Sequence, residues 1–161
     1  MSPVDVEEYH RRVRAGPCFL CDVVAGRLPH HVVHEDERAI AFLNRYPTVR
    51  GYVILAPKEH REDVTGDFTE EEYVELQRLV YRVGEAVRRA VPTERLYILT
   101  LGSKHGNAHV HWHVAPLPPG LPYEEQQLGA LDWGASGERV LELSDSEQVE
   151  LAASIRDALD G

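Results

Sequence analysis

The sequence predicts an α+β fold, in which helices pack against an antiparallel sheet of about five strands. Helix-like and strand-like patterns follow one another in the order helix, strands, helix, strands, helix. Residues 69–90 carry apolar side chains at spacings of three and four, which is typical of an amphipathic helix. The connection between Leu43 and Tyr52 is too short for a helical crossover, so we expect the strands that it joins to be antiparallel.

The first half of the chain predicts two short helices and three strands. The charged segment 4–14 favours a helical arm, and Cys18–Ala25 favours a short helix that ends before a glycine. The segments Val32–His34 and Ala39–Leu43 are expected to be strands joined by a turn. Tyr52–Ala56 is a near-continuous apolar run that a proline ends, which is typical of a buried strand.

The second half predicts a long helix followed by two strands. Thr69 and Glu72 form a capping-box pattern at the start of the long helix. Leu96–Leu101 and Ala108–Ala115 are expected to be strands. Pro116–Gly120 holds three prolines and a glycine and is therefore expected to be a loop.

A final helix is expected to begin at Ser144, which forms a second capping-box pattern with Glu147. The apolar residues at helical spacing predict its inward face: Val149, Ala152, Ile155 and Leu159. The segment before this helix, residues 121–143, has no clear pattern.

The length of 161 residues suits a single domain, with a helical arm (1–16), a core (17–117) and a C-terminal extension that contains a helix (118–161). The net charge of −10 disfavours duplex nucleic acid as a partner, because phosphates are bound by Lys and Arg. No apolar run approaches the ~18 residues of a membrane span, and residues 1–14 lack the apolar region of a signal peptide. We therefore expect a cytoplasmic protein with no membrane partner.

The most informative segment is 109–114, in which histidines alternate with apolar residues. Alternate side chains of a strand face opposite sides, so His109, His111 and His113 are expected to share one face. An ordinary half-exposed strand rarely carries three histidines in register. The outer two would lie about 13 Å apart along a strand, so all three can hardly bind one metal ion. At least one histidine is therefore left to act as a nucleophile, an acid or a base.

The pair Cys18 and Cys21, spaced C-x-x-C, is open to three interpretations: a redox pair, two inert buried thiols or a structural zinc site. A thioredoxin-like redox motif follows a strand, whereas a helical arm and Pro17 precede this pair. A reducing cytosol also disfavours a lasting disulfide. The zinc site is favoured, and it would need two histidines from elsewhere in the chain.

Together these motifs resemble the histidine triad (HIT) family of nucleotide hydrolases and transferases, in the form that carries C-x-x-C and zinc. Residues 109–115 match the triad motif, in which histidines alternate with apolar residues. Residues 18–26, 35–44 and 51–60 resemble the family's opening segment, its first hairpin and its next strand with the histidine that follows. The resemblance covers residues 17–117 in the family's order and implies a HIT-like fold.

The resemblance implies a reaction at the α-phosphate of a nucleoside monophosphate derivative, through a nucleotidyl-histidine intermediate. His111 would be the nucleophile, and His113 would contact the α-phosphate. Adenine is the family's usual base, and the apolar residues that would pack against it are Phe19, Leu20, Val23 and Phe42. Asn44 would hold the ribose, although an Asn after a strand also suits a turn.

Many family members hold the phosphate with Gln, Ser or Asn before the triad. In this sequence the corresponding loop, residues 102–107, looks shortened. Asn107 is the best candidate for the phosphate donor, and Ser103 and His105 are weaker candidates.

The same resemblance assigns a structural zinc ion to four residues: Cys18, Cys21, His60 and His109. It also implies a homodimer, because family members pair to extend their sheets and the helix at 69–90 offers an apolar stripe. The remaining histidines receive no role: His10, His30, His31 and His34.

The leading hypothesis is therefore a nucleotide hydrolase. Transfer of the nucleotide to another phosphate is an alternative within the same fold. A nucleotide-binding module with little turnover and a zinc-stabilised interaction domain are alternatives from other classes, which the intact triad disfavours because a pure binder needs no nucleophile. The leaving group stays open: dinucleoside polyphosphates, nucleotidyl phosphoramidates, nucleotide sugars and aminoacyl adenylates all present the same α-phosphate.

Overall fold

A computed structural model describes residues 4–161, so residues 1–3 of the predicted arm lie outside the described residues. Within this range the helices are α1 (Val6–Ala15), α2 (Phe19–Val24), α3 (Glu70–Ala90) and α4 (Asp145–Asp160). The strands are β1 (Val32–Glu35), β2 (Ala39–Leu43), β3 (Val53–Pro57), β4 (Arg95–Thr100) and β5 (Trp112–Leu117). None of the described helices is both long enough and apolar enough to cross a membrane.

The strands form one sheet in the order β1-β2-β3-β5-β4, and every neighbouring pair is antiparallel. β2 pairs with β3 along its whole length, from Ala39 opposite Pro57 to Leu43 opposite Val53. β5 lies inside the sheet and β4 lies at its edge. The predicted α+β class and the antiparallel sheet of five strands are therefore confirmed.

Two apolar clusters lie on opposite faces of the sheet, as the alternation of side chains along a strand requires. Ala41 of β2 and Leu55 of β3 belong to the first cluster, which α3 and α4 cover. Phe42 and Ile54, their chain neighbours, belong to the second cluster, which α2 covers. Because both faces are covered, β2 and β3 are buried throughout, as their continuous apolar sequence predicts.

Helix α3 forms where the sequence predicts it. The Thr69 side chain accepts the backbone N–H of Glu72, and the Glu72 carboxylate accepts the backbone N–H of Thr69, which completes the capping box. The predicted apolar stripe is buried at Leu76, Val80 and Val83, among others, and packs on the first cluster. The helix ends two residues before Pro92.

The strand predicted at Ala108–Ala115 is shifted: β5 begins only at Trp112 and continues to Leu117. The residues before Trp112 have other hydrogen-bond partners. The backbone N–H of Val110 donates to the carbonyl of Arg61 (2.7 Å), and the Thr100 hydroxyl donates to the carbonyl of His111 (2.7 Å). His109 and His111 therefore lie on an irregular segment that leads into the sheet, and only His113 lies in the strand.

The prediction of a loop at Pro116–Gly120 is wrong for its first two residues, Pro116 and Leu117, which belong to β5. Strand β3 pairs with β5 only as far as Val53 opposite Val114, so Pro116 has a partner strand only in β4, at Leu96. A proline at this position removes no hydrogen bond to β3.

Helix α4 begins with the predicted capping box but turns a different face inward. Leu151, Ala152 and Ile155 are buried, whereas Val149 is 49% exposed. At about 100° per residue the buried stripe is centred near Ile155, and Val149 falls beyond its edge. Leu159 packs against the first cluster as predicted.

The C-terminal extension is hydrogen-bonded to the core at several points. The backbone N–H of Gln127 donates to the Tyr97 hydroxyl (2.9 Å), and the backbone N–H of Leu141 donates to the carbonyl of Pro47 (2.7 Å). The Arg156 guanidinium donates to the carbonyl of Val32 (2.7 Å). The single domain and its division at residues 16 and 117 stay predictions.

We predict that Ile155→Ala lowers the free energy of unfolding by about 2–5 kcal/mol, because it leaves a cavity at a fully buried site. Val149→Ala, on the same helix, should change it by less than about 0.5 kcal/mol. Urea unfolding of both variants measures the difference. Equal effects would contradict the assigned inner face of α4.

Candidate functional site

The three histidines of the triad lie side by side at the start of β5. The imidazole centroids of His111 and His113 are 4.9 Å apart; His111 is buried and His113 is half-buried. His109 is deeper, with 1% of its surface exposed. Val110 and Trp112, between them in sequence, point into the first apolar cluster. The alternation of histidine and apolar residues is therefore maintained although the first two histidines precede the regular strand.

His109 turns toward the two cysteines rather than toward its neighbour His111. Cys18 caps the N-terminus of α2 and its Sγ accepts the backbone N–H of Cys21 (3.4 Å). Cys18 Sγ lies 3.4 Å from His109 Nδ1, and Cys21 Sγ lies 3.5 Å from His60 Nδ1. The four side chains could hold a metal ion, since one ligand atom from each lies within 4.8 Å of the others. Ligands of one tetrahedral zinc ion lie about 3.3–3.8 Å apart, so small adjustments suffice.

The hydrogen bonds behind these histidines leave the correct nitrogen free for a metal. His109 Nε2 donates to the carbonyl oxygen of Pro57 (2.8 Å), which can only accept. His60 Nε2 lies 3.0 Å from a carboxylate oxygen of Glu62 and donates to it in the same way. Each imidazole therefore presents the lone pair of Nδ1 to the thiols. Such outer partners fix the tautomer of histidines that bind metals.

Burial shifts the pKa values of the cluster in opposite directions. It lowers the pKa of His109, which keeps this imidazole neutral and able to bind a metal. Burial, followed by the hydrogen bond with Cys18, raises the pKa of Cys21 to about 11. Without a cation this thiol stays protonated at neutral pH, whereas a bound divalent cation favours the thiolate.

His111 has its own fixed tautomer. Its Nδ1 donates to the carbonyl of His109 (2.8 Å), so the lone pair of Nε2 is free. Burial lowers the pKa of His111, so the imidazole is neutral at physiological pH. Because the Thr100 hydroxyl holds the His111 carbonyl, the backbone that carries this ring is fixed as well. A neutral imidazole with a free, oriented lone pair can act as a nucleophile.

At His113 it is Tyr52 that determines which ring nitrogen carries the proton, through a contact that the sequence did not predict. The Tyr52 hydroxyl lies 2.7 Å from His113 Nδ1. Burial raises the pKa of Tyr52 above its usual range, so the hydroxyl keeps its proton. No other acceptor contacts it among the described residues, so it donates to Nδ1 and leaves the proton of His113 on Nε2. Burial also lowers the pKa of His113 to about 4, so this N–H donor is uncharged.

His111 and His113 line a cavity of about 450 Å³. Five of the residues predicted to bind substrate line it with them: Phe19, Leu20, Phe42, Asn44 and Asn107. Val23 is instead buried in the second apolar cluster, and Ser103 is exposed and lies outside the lining. The cavity size and its mainly apolar wall suit a small molecule of nucleotide size.

Asn44 makes a turn hydrogen bond and also lines the cavity. Its Oδ1 accepts the backbone N–H of Tyr46 (3.0 Å), which is turn chemistry. The Asn44 amide nitrogen has no hydrogen-bond partner within residues 4–161 and remains available as a donor at the cavity.

The turn before the triad is a short 3-10 helix, His105–Asn107. His105 has a φ of 64°, a conformation that is uncommon for residues other than glycine. Gly106 allows close approach of α1: a Cβ atom there would lie 3.0 Å from the carbonyl oxygen of Val13 and 3.1 Å from that of Pro17. The turn that carries Asn107 is thus packed directly against the end of α1.

Two segments that the sequence did not connect with the site form a further wall of the cavity. Tyr9 and Arg12 of α1 line it from one side, and Trp133 lines it from the extension. The ring of Trp133 is 4.8 Å from that of Tyr9 and 5.6 Å from that of Tyr46. Residues 127–133 have no periodic pattern that could have revealed this position, whereas α1 carries Val6, Tyr9 and Val13 at helical spacing, a signal for an inward face.

A larger open groove of about 1430 Å³ runs between the β1–β2 turn and α3. It is lined mainly by charged side chains, including Glu70, Glu71 and Arg78, and contains none of the histidines. The smaller cavity is the candidate site because the oriented histidines open into it.

The histidines without an assigned role have local partners. His30 donates from Nδ1 to the carbonyl of Leu28 (3.0 Å) and packs on Phe42, with ring centroids 4.8 Å apart. His34 lies 2.9 Å from Asp36, and His31 lies 3.3 Å from Asp145. The ring of His10 contacts that of its neighbour Tyr9.

Comparisons with known proteins agree with this arrangement. Residues 25–119 match the family model of the HIT domain. A Bacillus subtilis protein named Protein hit is 31% identical over 102 residues, which are 63% of this chain and 70% of that protein. An adenosine 5′-monophosphoramidase of Schizosaccharomyces pombe is 26% identical over 127 residues, which are 71% of this chain and 92% of that enzyme. A solved structure, a hypothetical histidine triad nucleotide-binding protein of Sulfolobus tokodaii, has a TM-score of 0.69 at 26% identity and covers 89% of this chain and 92% of its own.

Proposed function

The chain belongs to the HIT domain family, and from this premise we propose that it is a nucleotide hydrolase that acts through a nucleotidyl-histidine intermediate on His111. The substrate is a nucleoside monophosphate derivative, attacked at its α-phosphate. The observation that carries this proposal is the hydrogen bonding of the two histidines at the cavity, from which we infer opposite tautomers. His111 presents the lone pair of Nε2, and His113 presents an N–H at Nε2.

The two tautomers divide the chemistry between them. The Nε2 lone pair of His111 attacks phosphorus, the N–P bond forms, and the bond to the leaving atom breaks with its electron pair on that atom. Water then attacks phosphorus, the N–P bond breaks, and the electron pair returns to Nε2 while a proton of the water passes to solvent. The N–H of His113 donates to a phosphoryl oxygen in both steps, where a fixed donor stabilises the developing charge.

The hydrogen bond from His111 Nδ1 to the His109 carbonyl supports the assignment of the nucleophile. Attack makes the His111 ring a phosphorylated imidazolium, which needs an acceptor for its remaining N–H. His109 cannot take this role, since its Nδ1 faces the cysteines and its Nε2 donates to Pro57.

The rest of the cavity supports the binding of a nucleoside. Phe19, Leu20 and Phe42 provide apolar contacts for the base, which we propose to be adenine. The Schizosaccharomyces pombe relative, named for an adenosine substrate, supports that choice. Asn44 would bind the ribose through its amide nitrogen, and Asn107 would donate to the phosphate. Val23 would support the base pocket from beneath, and Ser103 stays a weaker candidate.

Transfer to a second phosphate instead of water is the alternative within the fold, and a binding module with little turnover is the alternative outside it. A lone pair that faces the cavity beside an N–H donor suits attack on phosphorus, which favours an enzyme. Cytoplasmic location stays a prediction.

We propose that the metal is zinc, bound by Cys18, Cys21, His60 and His109. Two thiols and two imidazole nitrogens are the donor set that zinc prefers in structural sites. Bound there, zinc would supply a rigid junction between the start of α2, the end of β3 and the segment that leads to His111. All four ligands are protein side chains, so no coordination position is left for water, as in a structural zinc site.

We also propose a homodimer. β4 lies at the sheet edge and exposes Ile98 (45%), Leu101 directly after the strand is 58% exposed, and Tyr81 of α3 is 69% exposed. An edge strand with exposed apolar residues is a site at which a sheet can be extended.

His111→Asn should abolish turnover, with kcat falling by about three orders of magnitude or more, while AMP binding stays near normal, because Asn cannot form the N–P bond. The measurement is an acid quench with an adenylated substrate, followed by peptide mass spectrometry. We expect the adenylyl group on His111 in the wild type. His34→Asn, which changes a histidine outside the cavity, is the control and should be fully active. An adenylyl group on another residue, or an active His111→Asn enzyme, would overturn the assignment.

Protein purified without chelators should contain close to one zinc ion per chain by elemental analysis. Removal of zinc should lower the free energy of unfolding by about 4 kcal/mol if free zinc stands at a thousand times its Kd. Cys18→Ala should lose the metal and stability. A metal-free preparation with undiminished stability would refute the site.

Ile98→Glu should convert a dimer to a monomer, because a charge would have to be buried in the interface. Light scattering at micromolar concentration measures the mass. Val149→Glu, at an exposed site on α4, is the control and should leave the mass unchanged. A monomeric wild type would contradict the proposal.

A further inference from the structure

Resting on the proposed function, we propose that the leaving group of the substrate begins with a phosphate, and that Arg12 of α1 binds this phosphate. Arg12 lies outside residues 25–119, the part of the chain that matches the HIT domain. The contact would therefore come from α1, a helix that the match to the HIT domain does not include. Its ligand chemistry is a phosphoanhydride, in which a second phosphate follows the α-phosphate.

The charges that line the cavity favour an anion. Its charged lining residues are Arg12, Asp22, Arg45 and Asp132. The Asp22 carboxylate pairs with Arg27 at 2.7 Å, and Asp132 accepts the backbone N–H of Gly134 at 3.0 Å. Neither arginine has a carboxylate partner within residues 4–161. The cavity therefore carries two guanidinium groups without a carboxylate partner against the one unpaired carboxylate of Asp132, in a chain whose net charge is −10.

The packing of α1 links the helix that carries Arg12 to the turn before the triad, whereas Arg45 has no such link. Val13, the next residue, contacts Gly106, and Gly106 precedes Asn107 in the turn before the triad. Arg45 follows Asn44, which belongs to the proposed ribose end. A side chain at position 106 would press on the carbonyls of Val13 and Pro17, so the glycine lets the end of α1 lie directly against the turn before the triad.

The guanidinium of Arg12 is held only loosely at present. Its central carbon lies 5.9 Å from the centroid of the Tyr9 ring, a contact typical of a weak cation–π interaction at an exposed site. The flexible side chain can therefore exchange this contact for a phosphate, which binds the guanidinium fork through two hydrogen bonds.

The chemistry of the leaving group explains why a cation is useful there. When the bond between the α-phosphorus and the bridging oxygen breaks, its electron pair stays on the oxygen and adds a negative charge to the departing phosphate. Arg12 stabilises that charge as it forms. An amine leaves after taking up a proton and gains nothing from a nearby cation. Arg12 therefore selects phosphoanhydrides over phosphoramidates.

The experiment compares kcat/KM for two kinds of substrate, adenosine 5′-phosphoramidate and a set of phosphoanhydrides: ADP, an ADP-sugar and diadenosine triphosphate. Arg12→Gln should lower the ratio of phosphoanhydride to phosphoramidate hydrolysis by about tenfold or more, as expected for a lost hydrogen bond between charged groups. Arg12→Lys should restore part of it. Arg11→Gln removes the same charge from the next position of α1, outside the cavity lining, and should leave the ratio unchanged. The phosphoanhydride that is hydrolysed fastest identifies the group beyond the second phosphate.

An unchanged ratio in Arg12→Gln, or an equal drop in Arg11→Gln, would overturn the proposal. So would a wild-type enzyme that hydrolyses the phosphoramidate and none of the phosphoanhydrides. In each of these cases the proposed function survives, because His111-dependent release of AMP continues. Loss of all turnover in the wild type would instead refute the proposed function itself.

Discussion

Two backbone carbonyls determine which nitrogen of each buried histidine carries the proton, and the chemistry of the site depends on them. The carbonyl of Pro57 accepts from His109, and the carbonyl of His109 accepts from His111. The first bond turns Nδ1 of His109 to the thiols, and the second leaves Nε2 of His111 free. One short segment thereby turns the first imidazole toward the two cysteines and the next toward the cavity, although the two histidines are only two residues apart in sequence.

The sheet makes these carbonyls available. Pro57 ends β3, where the strand leaves its pairing with β5 at Leu55 opposite Trp112. Its carbonyl is then free to accept a side-chain donor instead of a strand neighbour. On the other side, the Thr100 hydroxyl takes the His111 carbonyl. The backbone polar groups of the irregular segment before β5 therefore have specific hydrogen-bond partners. Because this segment does not pair as a regular strand, His109 and His111 can point in different directions.

The sequence predicted what depends on local pattern and missed what depends on the meeting of distant segments. The alternation in residues 109–114 and the capping box at Thr69 are local, so the triad and α3 could be read directly. The start of β5 could not be predicted in this way. Thr100 and Arg61 form hydrogen bonds with residues 110–111 in place of a strand neighbour, and nothing in the sequence signals these contacts. The same holds for Tyr52, whose apolar strand environment predicts burial and gives no hint of a histidine partner.

Burial of the histidines has a consequence for the division of charge in the cavity. An imidazole that stays neutral is a nucleophile or an uncharged donor, and it cannot offset the negative charge of a phosphate. A guanidinium is protonated at every physiological pH, and an exposed one costs little to keep. The proposed site therefore separates the two requirements: His111 and His113 provide the neutral nucleophile and donor, and Arg12 of α1 provides the permanent positive charge. Under the proposed function, the histidines at the start of β5 supply the reactivity, and Arg12 of α1 supplies the permanent charge that selects the leaving group.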